Sequence, residues 1–162
     1  MRIEKRLEIL EERVKKNPKL IHTAGGISQK SLQEAEKRLG GPLPLSYCWF
    51  LRLYGEGLWG GWEIFGLRED EWGNLLEGQS VPDMLWTALY MRERYQLPRE
   101  YIPVAGDGMG TYYFIKTIPE GRREDGAMVA LRLTEEGEFV ETESLEITLG
   151  DFLEECLEVE EI

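Results

Sequence analysis

The apolar residues of this chain change their period partway along it, and no other feature narrows the fold as much. Over residues 2–16, Ile3, Leu7, Leu10 and Val14 recur at spacings of four, three and four, the stripe of one amphipathic helix. Asn17-Pro18 ends it, because a residue before proline is pushed out of the helical region. Ser28 then reads as an N-cap, with Ile27 before it able to staple onto Leu32. Ser31 and Glu34 offer a second capping box if that helix starts later. Its buried stripe is Leu32, Ala35 and Leu39, closed by Gly40-Gly41-Pro42. Pro44 suits the first turn of a third helix, "SYCWFLRLYG", which is apolar on nearly every side and therefore central. Val81 to Gln96 reads as a fourth, with Met84, Leu85, Ala88, Leu89 and Arg92 at helical spacing.

Beyond Pro98 the period becomes that of strands. "YIPVAGDGMG" gives a short strand and a glycine turn, and "TYYFIKT" and "AMVALRL" are β-rich runs. "EFVETES" pairs with the last of them across the turn Glu135-Glu136-Gly137. Thr148-Leu149-Gly150-Asp151 opens a final helix, in which Ile147 can staple to Phe152 and Phe152, Cys156 and Leu157 face inward. Helices, one strand, a helix, a run of strands and a helix predict an α+β fold, a mainly antiparallel sheet packed with helices. At 162 residues, 42% hydrophobic and rich in aromatics, the chain has enough material for one domain over 1–162 with a real core.

The one strand among the helices follows "YGEGLWGGWEIFGL", in which Gly55-Glu56-Gly57-Leu58-Trp59-Gly60 spells GxGxxG. A dinucleotide fingerprint needs a strand before these glycines and a helix after them. Here a helix precedes and "WEIFGL", which reads as a strand, follows. The pattern therefore reads as a turn in which glycine supplies positive φ. Gly106-Asp107-Gly108 is likewise read as a turn, with Asp107 bonding nearby backbone amides.

The charge is uneven. The net charge is −12; residues 1–119 balance sixteen basic against sixteen acidic residues, and residues 120–162 hold three arginines, no lysine and fifteen acids. Such an end repels nucleic acid and anionic lipid and attracts a basic partner. A merely solubilising surface is the plainer reading. No apolar run is long enough to span a bilayer, and the charged, periodic start "MRIEKRLEIL" predicts no secretory signal and a cytoplasmic location. Cys48 and Cys156 fall in apolar helical segments and are expected as buried thiols. His22 is the only histidine, which leaves no metal-ligand spacing.

Catalytic chemistry finds little to use. His22 has no evident nucleophile beside it, and Glu63 with Asp107 is a carboxylate pair that 31 acids supply easily by chance. The expectation is a non-enzyme without cofactor or metal. A pocket lined by Trp59, Trp62 and Tyr112 is the small-ligand alternative. Trp49, on the all-apolar helix, is expected in the core. Trp59, on the glycine stretch, is expected at least partly exposed as a binding anchor.

"ISQKSLQEAEKRLGGPLPLSYCWFLRLYGEG" resembles the N-terminal signature of the SUKH superfamily, the SMI/KNR-type domain: Glu36 and Leu39-Gly40, then Leu43-Pro44, then Tyr47 with Phe50-Leu51, then Tyr54-Gly55. "GGWEIFGL", "YIPVAGDGMGTYYFIKT" and "ITLGDFLEECL" resemble its later blocks in the same order, so that residues 27–157 form the family-like core after an N-terminal helix and linker, 1–26. Ser46, where an acid is common, and Cys48-Trp49, more apolar than usual, depart from the pattern. The resemblance implies protein binding without catalysis: many bacterial members look like immunity proteins that neutralise a toxin, often a nuclease, and fungal relatives act as regulatory scaffolds in cell-wall signalling. Together with the acidic end it points to a cognate toxin with a basic surface as the partner, and the same charge predicts no nucleic acid or membrane role. Glu135, Glu136, Glu138, Glu141 and Glu143 are the expected contact surface, with Trp59, Trp62 and Asp107 as a second contact.

Overall fold

The computed structural model describes residues 3–80, 82–118 and 126–160. Arg2 and Val81, which the sequence reading places at helix starts, lie outside them, as do Glu120, Glu124, Asp125 and Glu161 of the acidic third. The elements run α1 (Ile3–Lys16), β1 (Ile21–Thr23), α2 (Gln29–Leu39), α3 (Leu45–Leu53), β2 (Gly57–Trp59), β3 (Trp62–Ile64), α4 (Met84–Tyr95), β4 (Tyr101–Gly106), β5 (Thr111–Lys116), β6 (Met128–Leu133), β7 (Phe139–Ser144) and α5 (Leu149–Glu160). The strands form one seven-stranded sheet whose spatial order follows the chain, and each neighbouring pair is antiparallel. The fold is α+β, as the change of period predicts.

Local chemistry sets the helix limits. The Ser28 hydroxyl accepts the Ser31 N–H, and Gly40 ends α2 in the left-handed conformation. The buried Glu36 carboxylate accepts the Leu43 N–H at 2.7 Å, fixing the link from α2 to α3. Asp83 accepts the Trp86 N–H at 2.7 Å, so α4 starts at Met84. At α5 the box is reciprocal: Asp151 accepts the Thr148 N–H at 3.0 Å, and the Asp151 N–H donates to the Thr148 hydroxyl at 3.3 Å.

The main core gathers Leu7, Leu10 and Val14 of α1, Leu32, Ala35 and Leu39 of α2, and the inward sides of α3, α4 and α5 against β2 to β5. A smaller cluster of Met91, Leu97, Phe114, Val129 and Leu131 lies between α4 and the later strands. The register assigns the faces, because paired residues share one and adjacent residues alternate. Ile64, Ala105, Tyr113, Ala130 and Glu143 form one row across the sheet, and Gly106, Tyr112, Leu131 and Glu141 form the next row on the opposite face.

Two strands depart from the sequence reading. His22, in a stretch where the sequence marks no element, sits in β1 opposite Leu58, and β2 begins inside the glycine stretch. Each of the two is three residues long and opens no apolar run, whereas β3, equally short, opens the longer apolar run "WEIFGL". The glycines do serve backbone geometry. Gly55 has φ +72°, and a Cβ there would lie 2.3 Å from the Gly25 carbonyl oxygen; Gly57 has φ +145°, and its Cβ would lie 2.3 Å from that of His22. Carbonyl oxygens crowd both positions, the wrong polarity for a phosphate.

Candidate partner-binding surface

Three turns share one end of the sheet: Gly60-Gly61 between β2 and β3, residues 107–110 between β4 and β5, and residues 134–138 between β6 and β7. The second is an Asx turn. Asp107 Oδ1 accepts the N–H groups of Met109 (2.7 Å) and Thr111 (3.1 Å) and holds Met109, 84% exposed, at the apex. The Leu133 N–H donates to the Gly110 carbonyl at 2.9 Å, tying the second turn to the third. The third is closed by the Thr134 N–H to the Glu138 carbonyl (2.8 Å), the Gly137 N–H to the Thr134 carbonyl (3.0 Å) and the Glu138 N–H to the Thr134 hydroxyl (3.2 Å). Glu135, Glu136 and Glu138 are exposed on this fixed frame.

The expected contact residues do not form one patch. Glu135, Glu136 and Glu138 stand together, beside the turn of Asp107. Glu143 shares a face with Tyr113 and Trp62; burial raises the Tyr113 pKa, and the charges of Asp107 and Glu143 push it further. Glu141 is on the opposite face, because a bulge between Ala130 and Leu131 shifts the register of β7. Half-buried Trp62 packs edge-on against Tyr113 and Phe152, each at 5.3 Å between ring centres.

Trp59 requires a correction. It is 0% exposed, donates its indole N–H to the Leu153 carbonyl at 2.8 Å, and is ringed by Trp49, Phe50 and Tyr54 at 4.9–6.3 Å. It is a centre of the core and not a surface anchor, whereas Trp49, expected in the core, is only half-buried. The three-aromatic pocket falls with it: Tyr112 turns to the other face, 6.5 Å from Phe114 and from Phe139.

The sequence pattern does not mark the exposed aromatics Trp72 and Tyr90, or the half-buried rings that flank Tyr90. Trp72 is 76% exposed at the tip of a loop, residues 68–78. On the outer side of α4, Trp86 stacks on Tyr90 at 4.8 Å, and Tyr90, Tyr95 and Phe139 continue edge to edge at 6.0 Å steps. The signal for the loop was present in Asp70, Gly73 and Asn74, turn residues around a tryptophan.

Other chemistry has less to build on. Glu63 is exposed on β3, and Asp107 is occupied by its own turn. Among the described residues, no group of three or more His, Cys, Asp or Glu is placed to hold a metal ion. Burial pushes the Cys156 thiol up to about 12, and the Cys48 thiol donates to the Leu43 carbonyl at 3.5 Å. No helix among the described residues is long and apolar enough to cross a membrane.

An α+β domain with a meandering sheet and a turn-lined acidic end defines the class. The family model described as SMI1-KNR4 cell-wall, SUKH_5, matches residues 3–158, and the chain belongs to that family. The matched span takes in α1 as well as the family-like motifs. A search of curated proteins finds no match.

Proposed function

We propose that this protein is an immunity protein: it binds a cognate intercellular toxin, of nuclease type, in the cytoplasm and neutralises it by covering the active site, without turnover. The observation that carries the reading is the fixed acidic turn. Three exposed carboxylates, Glu135, Glu136 and Glu138, stand on a hydrogen-bonded frame at the edge of the sheet, next to the Asx turn of Asp107. A nuclease lines its groove with Lys and Arg to hold a polyanion, so rigid carboxylates can occupy the places of phosphates. The family supports a protein-binding role. The cell-wall description of its model favours a second reading, a regulatory scaffold of the cell-wall-signalling type.

Co-expression separates the two. If an adjacent reading frame encodes a large protein with a toxin-like C-terminal domain, expressing that domain alone is expected to arrest growth, and co-expressing this chain to restore it. No rescue at matched expression contradicts the immunity reading and leaves the scaffold.

A further inference from the structure

We propose that the loop of residues 68–78 is a second contact for the same partner, with the Trp72 indole seated in an apolar pocket rimmed by basic side chains. The inference rests on the toxin-binding reading and adds to it an anchor at the other end of α4.

An exposed tryptophan is costly to leave in water, and indole is among the groups that most often dominate binding energy at interfaces. This one is held out on a braced support. Glu69 Oε2 accepts the Ser28 N–H (3.0 Å), the Ser28 hydroxyl (2.9 Å) and the Ser31 hydroxyl (2.7 Å), tying the loop to the start of α2. Glu69 and Leu75 form an antiparallel bridge, and the Leu76 N–H donates to the Arg68 carbonyl at 2.9 Å. Inside it, Asp70 Oδ1 accepts the N–H groups of Trp72 (3.0 Å) and Asn74 (2.9 Å). A loop already fixed loses little further entropy on binding, so the contact energy of its tip is realised as affinity.

The charge around the tip selects the partner. Glu69, Asp70, Glu71 and Glu77 stand against Arg68 within the loop and against Lys30 of α2, whose ammonium donates to Asn74 Oδ1 at 3.2 Å and faces Asp70. Hydrogen bonds from the Asn74 and Trp72 backbone keep the Asp70 carboxyl below its usual range. At Glu69, burial acts to raise the pKa, but the bonds from Ser28 and Ser31 together outweigh it and lower it. The loop therefore stays anionic, complementary to the basic surface required by the turn at residues 134–138. The apolar surface also continues. Leu76, 41% exposed, lines a cavity of about 240 Å³ with Trp86, Leu89 and Tyr90. From there the aromatic row on α4 leads to Phe139 on β7. The twelve-residue α4, roughly 18 Å long, runs between the two acidic segments, a length on the scale of one interface of standard size, about 800 Å² on each partner. Two arginines lie along this route: Arg38, paired with Glu77 at 3.3 Å, and Arg94, over the Tyr95 ring.

The test measures binding kinetics of the full chain against the toxin domain encoded beside it. Trp72→Ala is expected to weaken affinity at least about thirtyfold, the scale of an interface hot spot. The loss should lie in faster dissociation, with the association rate and melting temperature unchanged. Trp72→Phe should recover part of it. If the parent binds and Trp72→Ala stays within about threefold of it, less than 1 kcal/mol, the anchor is refuted while the immunity reading stands. If the parent does not bind, both fall.

Discussion

Trp59→Ala is expected to cost about 3–5 kcal/mol of folding stability, as large-to-small changes at fully buried aromatic residues do. The substitution removes an indole that is 0% exposed, opens a cavity among Trp49, Phe50 and Tyr54, and deletes the bond to the Leu153 carbonyl that ties β2 to α5. A domain of this size holds about 5–15 kcal/mol in all, so the variant should melt roughly 10 °C lower or fail to fold. Trp59→Phe keeps most of the ring volume and loses the donor, so it should cost clearly less. Trp49→Ala should also cost less, because Trp49 is only half-buried. Urea denaturation of the three variants orders them. Equal destabilisation by Trp49→Ala and Trp59→Ala would contradict the placement of Trp59 at the centre of the core.

The second large effect is kinetic. Replacing Glu135, Glu136 and Glu138 together with Gln should slow association with a basic toxin at least about tenfold at low salt. The fold should survive, because exposed substitutions usually stay within about 0.5 kcal/mol each. The deficit should shrink as salt rises, because screening removes the steering that the wild-type carboxylates supply. This behaviour is opposite to that expected of Trp72→Ala, which changes dissociation. An association rate that is the same for both chains across a salt series assigns the charge to solubility alone.

Much of the fold was legible because it is local. The stripes of α1 and α2, the Ser28 cap, the Gly40 stop and the Thr148–Asp151 box each need only a few neighbouring residues, and each is present. What escaped depends on distant chain. β1 and β2 are three-residue strands that exist through their partners. Trp59 reads as a loop residue until α5, far along the sequence, brings the Leu153 carbonyl over it. Trp72 reads as one aromatic in a polar stretch until Glu69 reaches back to Ser28 and fixes the loop that carries it. At the candidate surface the glutamates of β6–β7 could be named but not sorted. Simple alternation puts Glu141 and Glu143 on one face, and only the bulge in the pairing separates them.

Stoichiometric neutralisation of a basic toxin is read from a titration. Increasing amounts of the purified chain are added to a fixed amount of the neighbour-encoded toxin domain, and its remaining activity on nucleic acid is measured. A linear fall to zero at one equivalent is expected, with the toxin recovered unmodified and active after the complex is separated. Inhibition by a small fraction of an equivalent with covalent change in the toxin would indicate an enzyme. Full activity in the presence of several equivalents would contradict the immunity function itself.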